Sequence, residues 1–485
     1  MNRYVEGENR NQISLEPMCL DDMIPADAEV RSLEIIIEKM EIRSLGFAYS
    51  ETKATGRKPY NPEDMFKLYA YSYFNGIRSS RKIERECYRN IELMWLLNEL
   101  KPDFKTIADF RKNNKTAIKE AFKKFSLLCC ELGLIGKEIV AVDGSKFRAS
   151  NSRLSYHTEK KLDEKIKHHT KTAEQYIKLL DACDGEEKEQ PKYTREELTD
   201  KIDKINKRLN ELNVLKVKVV ESGTIYETDK DSKMMKTNNH GVDICHNVQI
   251  AVDDKNHLVV AVDVTSEAID KEQLHNISSQ AKENLETDEL TAIADKGYYS
   301  ALQFKKCADD NITPIVSKSS QSFHATSPGF EKESFVYDEE RNVYVCPLGI
   351  LLSPCKQRPD KSQKWKDFIN YANPAACREC SQKDKCTSSK YRTIQDKPFE
   401  KYAREVDRRT KENLEMYRKR KQLVEHPFGT VKRAMGFSYF LTRGNENVRV
   451  ESLLHFFAYN LKRVINIMGI QGLREGLQGR FPVFT

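Results

Sequence analysis

Residues 138–143, EIVAVD, followed by Gly144 and Ser145, mark the point where the hydrophobic period of the chain changes from helical to strand-like. A second run, TAIAD at 291–295, has the same build and leads into KGYY. Each run ends in an acid, Asp143 or Asp295. Each acid is followed closely by a glycine, Gly144 or Gly297, expected to turn the chain and leave the carboxylate open. A third acid, Glu425, lies downstream in QLVEHPFGTVKR (422–433). Carboxylates at strand ends can converge on hard cations such as Mg²⁺ (or Mn²⁺), which want oxygen ligands. Two such ions suit in-line displacement at phosphorus. The three acids therefore point to phosphodiester chemistry, which needs no protein nucleophile. A single strand-end Asp is more often a turn former, and Asp253, Asp254 and Asp263 read that way.

Between the two runs, HNVQIAVD (246–253) and LVVAVDVT (258–265) read as antiparallel strands joined by a turn at DDKNH. DKEQLHNISSQAKENL (270–285) reads as a helix, YYSALQFKKCADD as another, and ITPIVS as a strand. This order describes an α/β fold with a mixed sheet. It is interrupted at 154–220 by a charged, helix-patterned stretch. There Leu198, Ile202, Ile205, Leu209 and Leu212 recur at helical spacing, as in the narrow seam of a helical hairpin. The acidic, breaker-rich DGEEKEQPKY (184–193) would be its turn.

Residues 20–135 read as helix throughout. Asn61 and Pro62 form an N-cap and first turn, and Gly76 is placed to end that helix. Arg78, Arg81, Lys82, Arg85, Arg111 and Lys112 fit a DNA-binding module of helix-turn-helix type, or equally the surface of a helical scaffold. In the same way, 401–436 hold eleven Lys/Arg against five Asp/Glu beside Glu425. Such a stretch suits a phosphate backbone or a solvated helix face.

The chain has 485 residues, 32% of them charged, and a net charge of +7. Two to four domains are expected at this length. The polar start, MNRYVEGENRNQ, has no signal-like apolar core, and LLHFFAYNL near the end is too short to span a bilayer. A cytoplasmic protein with no membrane partner is expected. Its twelve cysteines then do not suggest a disulfide framework. Cys377-x₂-Cys380, with Cys386 downstream and Cys346 upstream, has the makings of a structural Zn²⁺ site, with Cys355 to spare. Free thiols are the alternative.

DGSKFRAS, HNVQIAVD, ADKGYYS and VEHPFGTVKR together resemble the motifs of bacterial insertion-sequence DDE transposases. LDDMIPADAEVR (20–31), GIRSSRKIERECYRNIELMWLL (76–97) and PDFKTIADFR (102–111) resemble that group's helical N-terminal domain. The resemblance runs from about residue 18 to 465. It implies that Asp143, Asp295 and Glu425 are the catalytic acids and hold two Mg²⁺ (or Mn²⁺) ions. In the family pattern Y-x2-R-x3-E-x6-K, Lys432 is in register with Glu425. Lys421 stands at the Arg position, and Arg420 is one residue further away. Tyr417 is correctly spaced from Arg420 but not from Lys421. Lys432, Arg420, Lys421, Tyr417, Lys296 and Arg433 are the candidate DNA contacts.

The expected architecture is an RNase H-like core. Residues 1–135 form a helical DNA-binding domain, and 136–325 the first part of the core. Residues 326–395 form a Cys-rich insertion, and 396–485 return to the core as helices. The implied partners are double-stranded DNA, as terminal inverted repeats and target, and a second copy in a dimeric synaptic complex. A metal-dependent nuclease without strand transfer, or an inactive DNA-binding derivative, would carry much of the same pattern.

Overall fold

The computed structural model describes residues 19–51, 58–152, 156–183, 194–237, 241–318, 329–355 and 368–477. The polar start and the linker 184–193 lie outside the described residues.

The N-terminal stretch folds into α1 (Glu29–Lys39), α2 (Pro62–Phe74), α3 (Ser80–Glu86), α4 (Ile91–Leu96), α5 (Phe104–Asn113) and α6 (Lys115–Glu131). Asn61 Oδ1 accepts from Glu63 N at 3.1 Å, and Pro62 fills the first turn of α2. Gly76, at φ +73°, ends that helix, and Ile77 N reaches back to Ser72 O at 2.7 Å.

The core sheet opens with β1 (Ile139–Arg148). An excursion follows: β2 (Tyr156–His157), α7 (Glu159–Cys183), α8 (Arg195–Ser222) and β3 (Ile225–Tyr226). The short strands β2 and β3 pair at the base of this helical hairpin. Leu198 and Leu212 are buried in its seam, while Ile202, Ile205 and Leu209 are half-buried. The sheet resumes with β4 (Lys233–Thr237), β5 (Gly241–Asp253) and β6 (Val259–Thr265). Then come α9 (Leu274–Leu285), β7 (Leu290–Ala294), α10 (Ala301–Asp309) and β8 (Ile312–Val316).

The strand order is β6–β5–β1–β7–β8, with β4 also on β5. β5 runs antiparallel to both of its neighbours, β6 and β1, whereas β7 and β8 run parallel to β1. The switch follows from the connections. A tight turn joins β5 to β6, but β7 can reach β8 in parallel only through a crossover, which α10 supplies. Pro314 is tolerated in β8 because β8 is an edge strand. There Thr410 Oγ1 accepts from Val316 N and donates to Val316 O, at 3.1 and 3.2 Å.

A second sheet is made of five antiparallel strands: β9 (Val336–Asp338), β10 (Val343–Val345), β11 (Leu351–Cys355), β12 (Ile369–Ala372) and β13 (Thr393–Asp396). The turns α11 (Pro374–Arg378) and α12 (Lys383–Cys386) carry cysteines between β12 and β13. Phe335, Tyr344, Leu352, Tyr371 and Ile394 form a small apolar cluster of their own there.

The chain ends with α13 (Glu400–Glu412), α14 (Leu414–Gly429) and α15 (Asn445–Leu477), the last broken at Gly469. α15 is buried along most of its first five turns and packs on α1, α2, α6 and β6. Phe457 meets Phe66 and Phe125 at centroid distances of 5.2 and 4.8 Å. On the sheet side, Asn460 accepts from Val259 N and donates to Val259 O at 2.8 and 2.7 Å. N-terminal helices and sheet thus share one apolar cluster. Among the described residues no helix is long and apolar enough to cross a membrane.

Candidate active site

β1 and β7 pair in parallel with Val142 opposite Ala294. The next residue on each chain is the acid, so Asp143 and Asp295 stand side by side, about 5 Å of sheet spacing apart. Asp295 behaves as the sequence suggests. It follows the last residue of β7 and caps the turn beyond it, where Gly297 N donates to its Oδ1 at 2.7 Å.

Asp143 does not end its strand. β1 continues to Arg148, with Asp143 opposite Ile250 and Gly144 opposite Gln249. Gly144 is therefore no turn. Its missing side chain leaves room for neighbours: a Cβ there would lie 2.2 Å from Gln249 Nε2 and 2.7 Å from Asp270 Oδ1.

Burial pushes the pKa of Asp143 up to about 6. The Gly144 N–H, which donates to Oδ1 at 2.9 Å, opposes the shift, as does Arg420, whose Nη1 lies 3.9 Å from Oδ2. Asp295 and Asp270 add to it. The carboxylate is thus half-buried among like charges, with a guanidinium nearby.

α14 packs across β1, β5 and β7, and its residues go separate ways. The Arg420 side chain is 16% exposed and turned to Asp143. Lys421 and Glu425 are 74% and 64% exposed and lie 3.8 Å apart, one helical turn from each other. Tyr417 is half-buried, and Lys296 and Arg433 are exposed.

Pro427 is expected to break or restart the helix. Instead α14 runs through it to Gly429, and the next turn, Thr430–Ala434, is π-helical, closed by Met435 N on Thr430 O at 2.9 Å. The wider turn absorbs the disruption and re-aims the side chains beyond Gly429. Lys432 consequently points inward while Glu425 faces solvent. Its Nζ donates to Ser145 Oγ and Lys146 O, both at 2.7 Å, and lies 4.2 Å from the Phe147 ring centroid. Burial lowers its pKa to about 8.

Cys346, Cys377, Cys380 and Cys386 line one cavity of about 30 Å³. Cys346 Sγ accepts from Ile350 N at 3.3 Å, and Cys355 is exposed on β11. Among the described residues, however, no three His, Cys, Asp or Glu side chains gather into a metal-holding group. Neither the three acids nor the four thiols form a ready-made cage.

The basic side chains of the N-terminal helices divide in the same way. Arg78 is turned inward, with Nη1 donating to Tyr439 O at 2.5 Å, and Arg111 donates to Tyr73 Oη at 2.9 Å. Arg81, Lys82, Arg85 and Lys112 remain exposed.

Asp270 was not singled out by the sequence. Its stretch reads as the start of a helix, but α9 begins only at Leu274. A signal was present in HNVQIAVD, where Asn247 and Gln249 alternate with Val248 and Ile250. Both polar residues are buried, and polar groups inside a sheet need partners.

Two family models match the chain: a transposase domain (DUF772) over residues 18–113 and a transposase DDE domain over residues 345–465. Asp143 and Asp295 lie between the matches, and Arg420, Glu425 and Lys432 lie inside the second. No curated protein matches the chain. Among solved structures, the piggyBac transposase synaptic complex with hairpin DNA, studied by cryo-EM, aligns with a TM-score of 0.29 and 8% identity. The alignment covers 94% of this chain and 80% of that one. The chain is thus similar to two transposase-domain families, an arrangement consistent with an insertion-sequence DDE transposase.

Proposed function

We propose that this protein is a DNA transposase that cleaves phosphodiester bonds at transposon ends, the terminal inverted repeats, and joins them to target DNA. The observation that carries the reading is the Asp143–Asp295 pair, set side by side on parallel strands in a chain similar to two transposase-domain families. The strand order, three antiparallel strands followed by two parallel to the first, supports an RNase H-like core.

The acidic pair fits divalent cations. Asp143 is a half-buried carboxylate with acids as neighbours and a guanidinium 3.9 Å away. Glu425, five residues along α14 from Arg420, would supply the third carboxylate. Two Mg²⁺ (or Mn²⁺) ions held there would neutralise charge developing on the phosphoryl oxygens. The protein's own cations share that work. Arg420 presents a planar fork to a phosphate oxygen pair, whereas exposed Lys421 acts as a point charge. Lys296 and Arg433 contact flanking phosphates, which position the DNA without reading its sequence.

In this reading residues 1–135 bind transposon ends through exposed Arg81, Lys82, Arg85 and Lys112. Residues 136–325 and 396–485 form the catalytic core around the Cys-rich region 326–395. Two ends must be cut in concert, so the working form is a homodimer in a synaptic complex. The deciding experiment compares wild type with Asp143→Ala on labelled end DNA in Mg²⁺. Loss of cleavage with end binding retained is expected. Full cleavage by a nuclease-free Asp143→Ala protein would remove the reading. Cleavage without joining, in a strand-transfer assay, would reduce the protein to a nuclease.

The shared cavity of Cys346, Cys377, Cys380 and Cys386, and the N–H donated to Cys346 Sγ, support a structural Zn²⁺. Elemental analysis should find one equivalent per chain, and its absence would withdraw the site.

A further inference from the structure

Behind β1, on the face opposite Asp143, three polar side chains converge on one carboxylate. Side chains alternate along a strand, so Asp143 and Ser145 share one face while Gly144 and Lys146 share the other. On that second face, Asp270 Oδ1 accepts from Asn247 Nδ2 at 2.6 Å, Gln249 Nε2 at 2.7 Å and Lys146 Nζ at 3.1 Å. Asn247 and Gln249 are buried and sit opposite Lys146 and Gly144 in the β1–β5 ladder. The other end of the Gln249 amide is also fixed, because Oε1 accepts from the hydroxyl of fully buried Tyr298. Tyr298 belongs to the turn that carries Asp295. Its N–H donates to Asp295 O at 3.1 Å, and the preceding N–H, of Gly297, donates to Asp295 Oδ1.

The donor directions along this chain are set throughout. The hydroxyl donates to the amide oxygen, which leaves the amide nitrogen to donate to the carboxylate. A glutamine held at both ends has one rotamer available. The arrangement also requires glycine at 144, since any larger residue would drive its Cβ into Gln249 Nε2 and Asp270 Oδ1.

We infer that Asp270 is a positioning residue for the Asp143–Asp295 pair, acting through Gln249 and Tyr298 to hold the Asp295 turn against β1. The inference rests on the proposed transposase chemistry and adds a residue to that site. Asp270 would not touch DNA. It would steady the turn that carries Asp295, which begins just beyond the last pair of the β1–β7 ladder. Supporting groups of this kind typically contribute about 10–100-fold to metal affinity or activity.

The test uses the full chain and three variants, Asp270→Ala, Asp270→Asn and Tyr298→Phe, beside wild type and Asp143→Ala. Two quantities are read: end cleavage in Mg²⁺, and the affinity of the DNA-bound protein for Mn²⁺ by electron paramagnetic resonance. Asp270→Ala should weaken Mn²⁺ binding and lower cleavage at limiting metal by about tenfold or more. End binding should be unchanged. Asp270→Asn keeps an acceptor for Gln249 and should recover part of the loss. Tyr298→Phe removes a single hydroxyl, preserves the ring's packing, and should shift Mn²⁺ affinity in the same direction by less. If Asp270→Ala fails to fold, the other two variants decide. Wild-type Mn²⁺ affinity and metal dependence in the folded variants would overturn the inference. Cleavage surviving in Asp143→Ala would instead remove the underlying functional reading, a different and separable failure.

Discussion

The strand half and the helix half of the candidate site are held by different forces. Asp143 lies in β1 and Asp295 directly follows β7, and the backbone ladder between the two strands ends one residue before both acids. Glu425 stands on α14, mostly exposed, with a lysine 3.8 Å away as its charged neighbour. Moving the first pair apart would break sheet hydrogen bonds. Moving Glu425 takes a rotamer change or a small shift of α14. One half of the site is therefore built in, and the other is set by how a helix docks. Catalytic contacts are often loose in free enzymes and tighten on substrate, so the contrast yields a direct experiment. Asp143→Ala, Asp295→Ala and Glu425→Ala should each lower end cleavage by about 10³-fold or more, roughly 4 kcal/mol of barrier. Near wild-type turnover by Glu425→Ala, beside inactive strand variants, would confine the chemistry to the sheet.

Within α14 the same contrast separates two adjacent cations. Arg420 is sheltered and reaches toward Asp143, whereas Lys421 is open to solvent. If Arg420 meets the reacting phosphate, Arg420→Ala should cost about 10²-fold in cleavage rate, the range for removing one preorganised donor. Arg420→Lys should recover little, because a point charge does not replace a fork. Lys421→Ala should stay within about threefold and show mainly a reduced salt dependence of DNA binding. The reverse ranking would assign the phosphate contact to Lys421.

The strand half was legible in the sequence because β-type runs announce themselves by composition, and parallel register then places their ends together. The β5–β6 hairpin, the helical hairpin and the cap at Asn61 were legible for similar local reasons. The features that escaped depended on long-range packing. Nothing local says that β1 continues five residues past Asp143, since that extension depends on pairing with a strand about a hundred residues away. Gly144 looks like a turn former in isolation and proves to be a space left for Gln249 and Asp270. Pro427 looks like a helix breaker, yet tertiary packing of Leu423, Val424 and Phe428 carries α14 through it. The π turn follows it, and Lys432 in that turn points inward to Ser145 and Lys146.

The smallest expected effect concerns stability, and its sign distinguishes the two halves. Burial raises the pKa of Asp143 from 3.8 to about 6. A carboxyl whose folded pKa is raised holds its proton more tightly when folded. Its ionisation therefore costs nothing below about pH 4. The cost grows as pH rises through the interval and is fully present above about pH 6. A shift of this size corresponds to at most about 3 kcal/mol. Asp143→Asn keeps the acceptor for the Gly144 N–H and cannot ionise. The metal-free variant should be more stable than wild type at pH 7.5, by about 1–3 kcal/mol, with the gap closing toward pH 4.5. Glu425→Gln, on the exposed face of α14, should change stability by no more than about 0.5 kcal/mol at either pH. Thermal denaturation of both variants at the two pH values reads the difference directly. A gain in Glu425→Gln equal to that in Asp143→Asn would mean that burial does not set the strand acid apart, and the distinction between the two halves would fall with it.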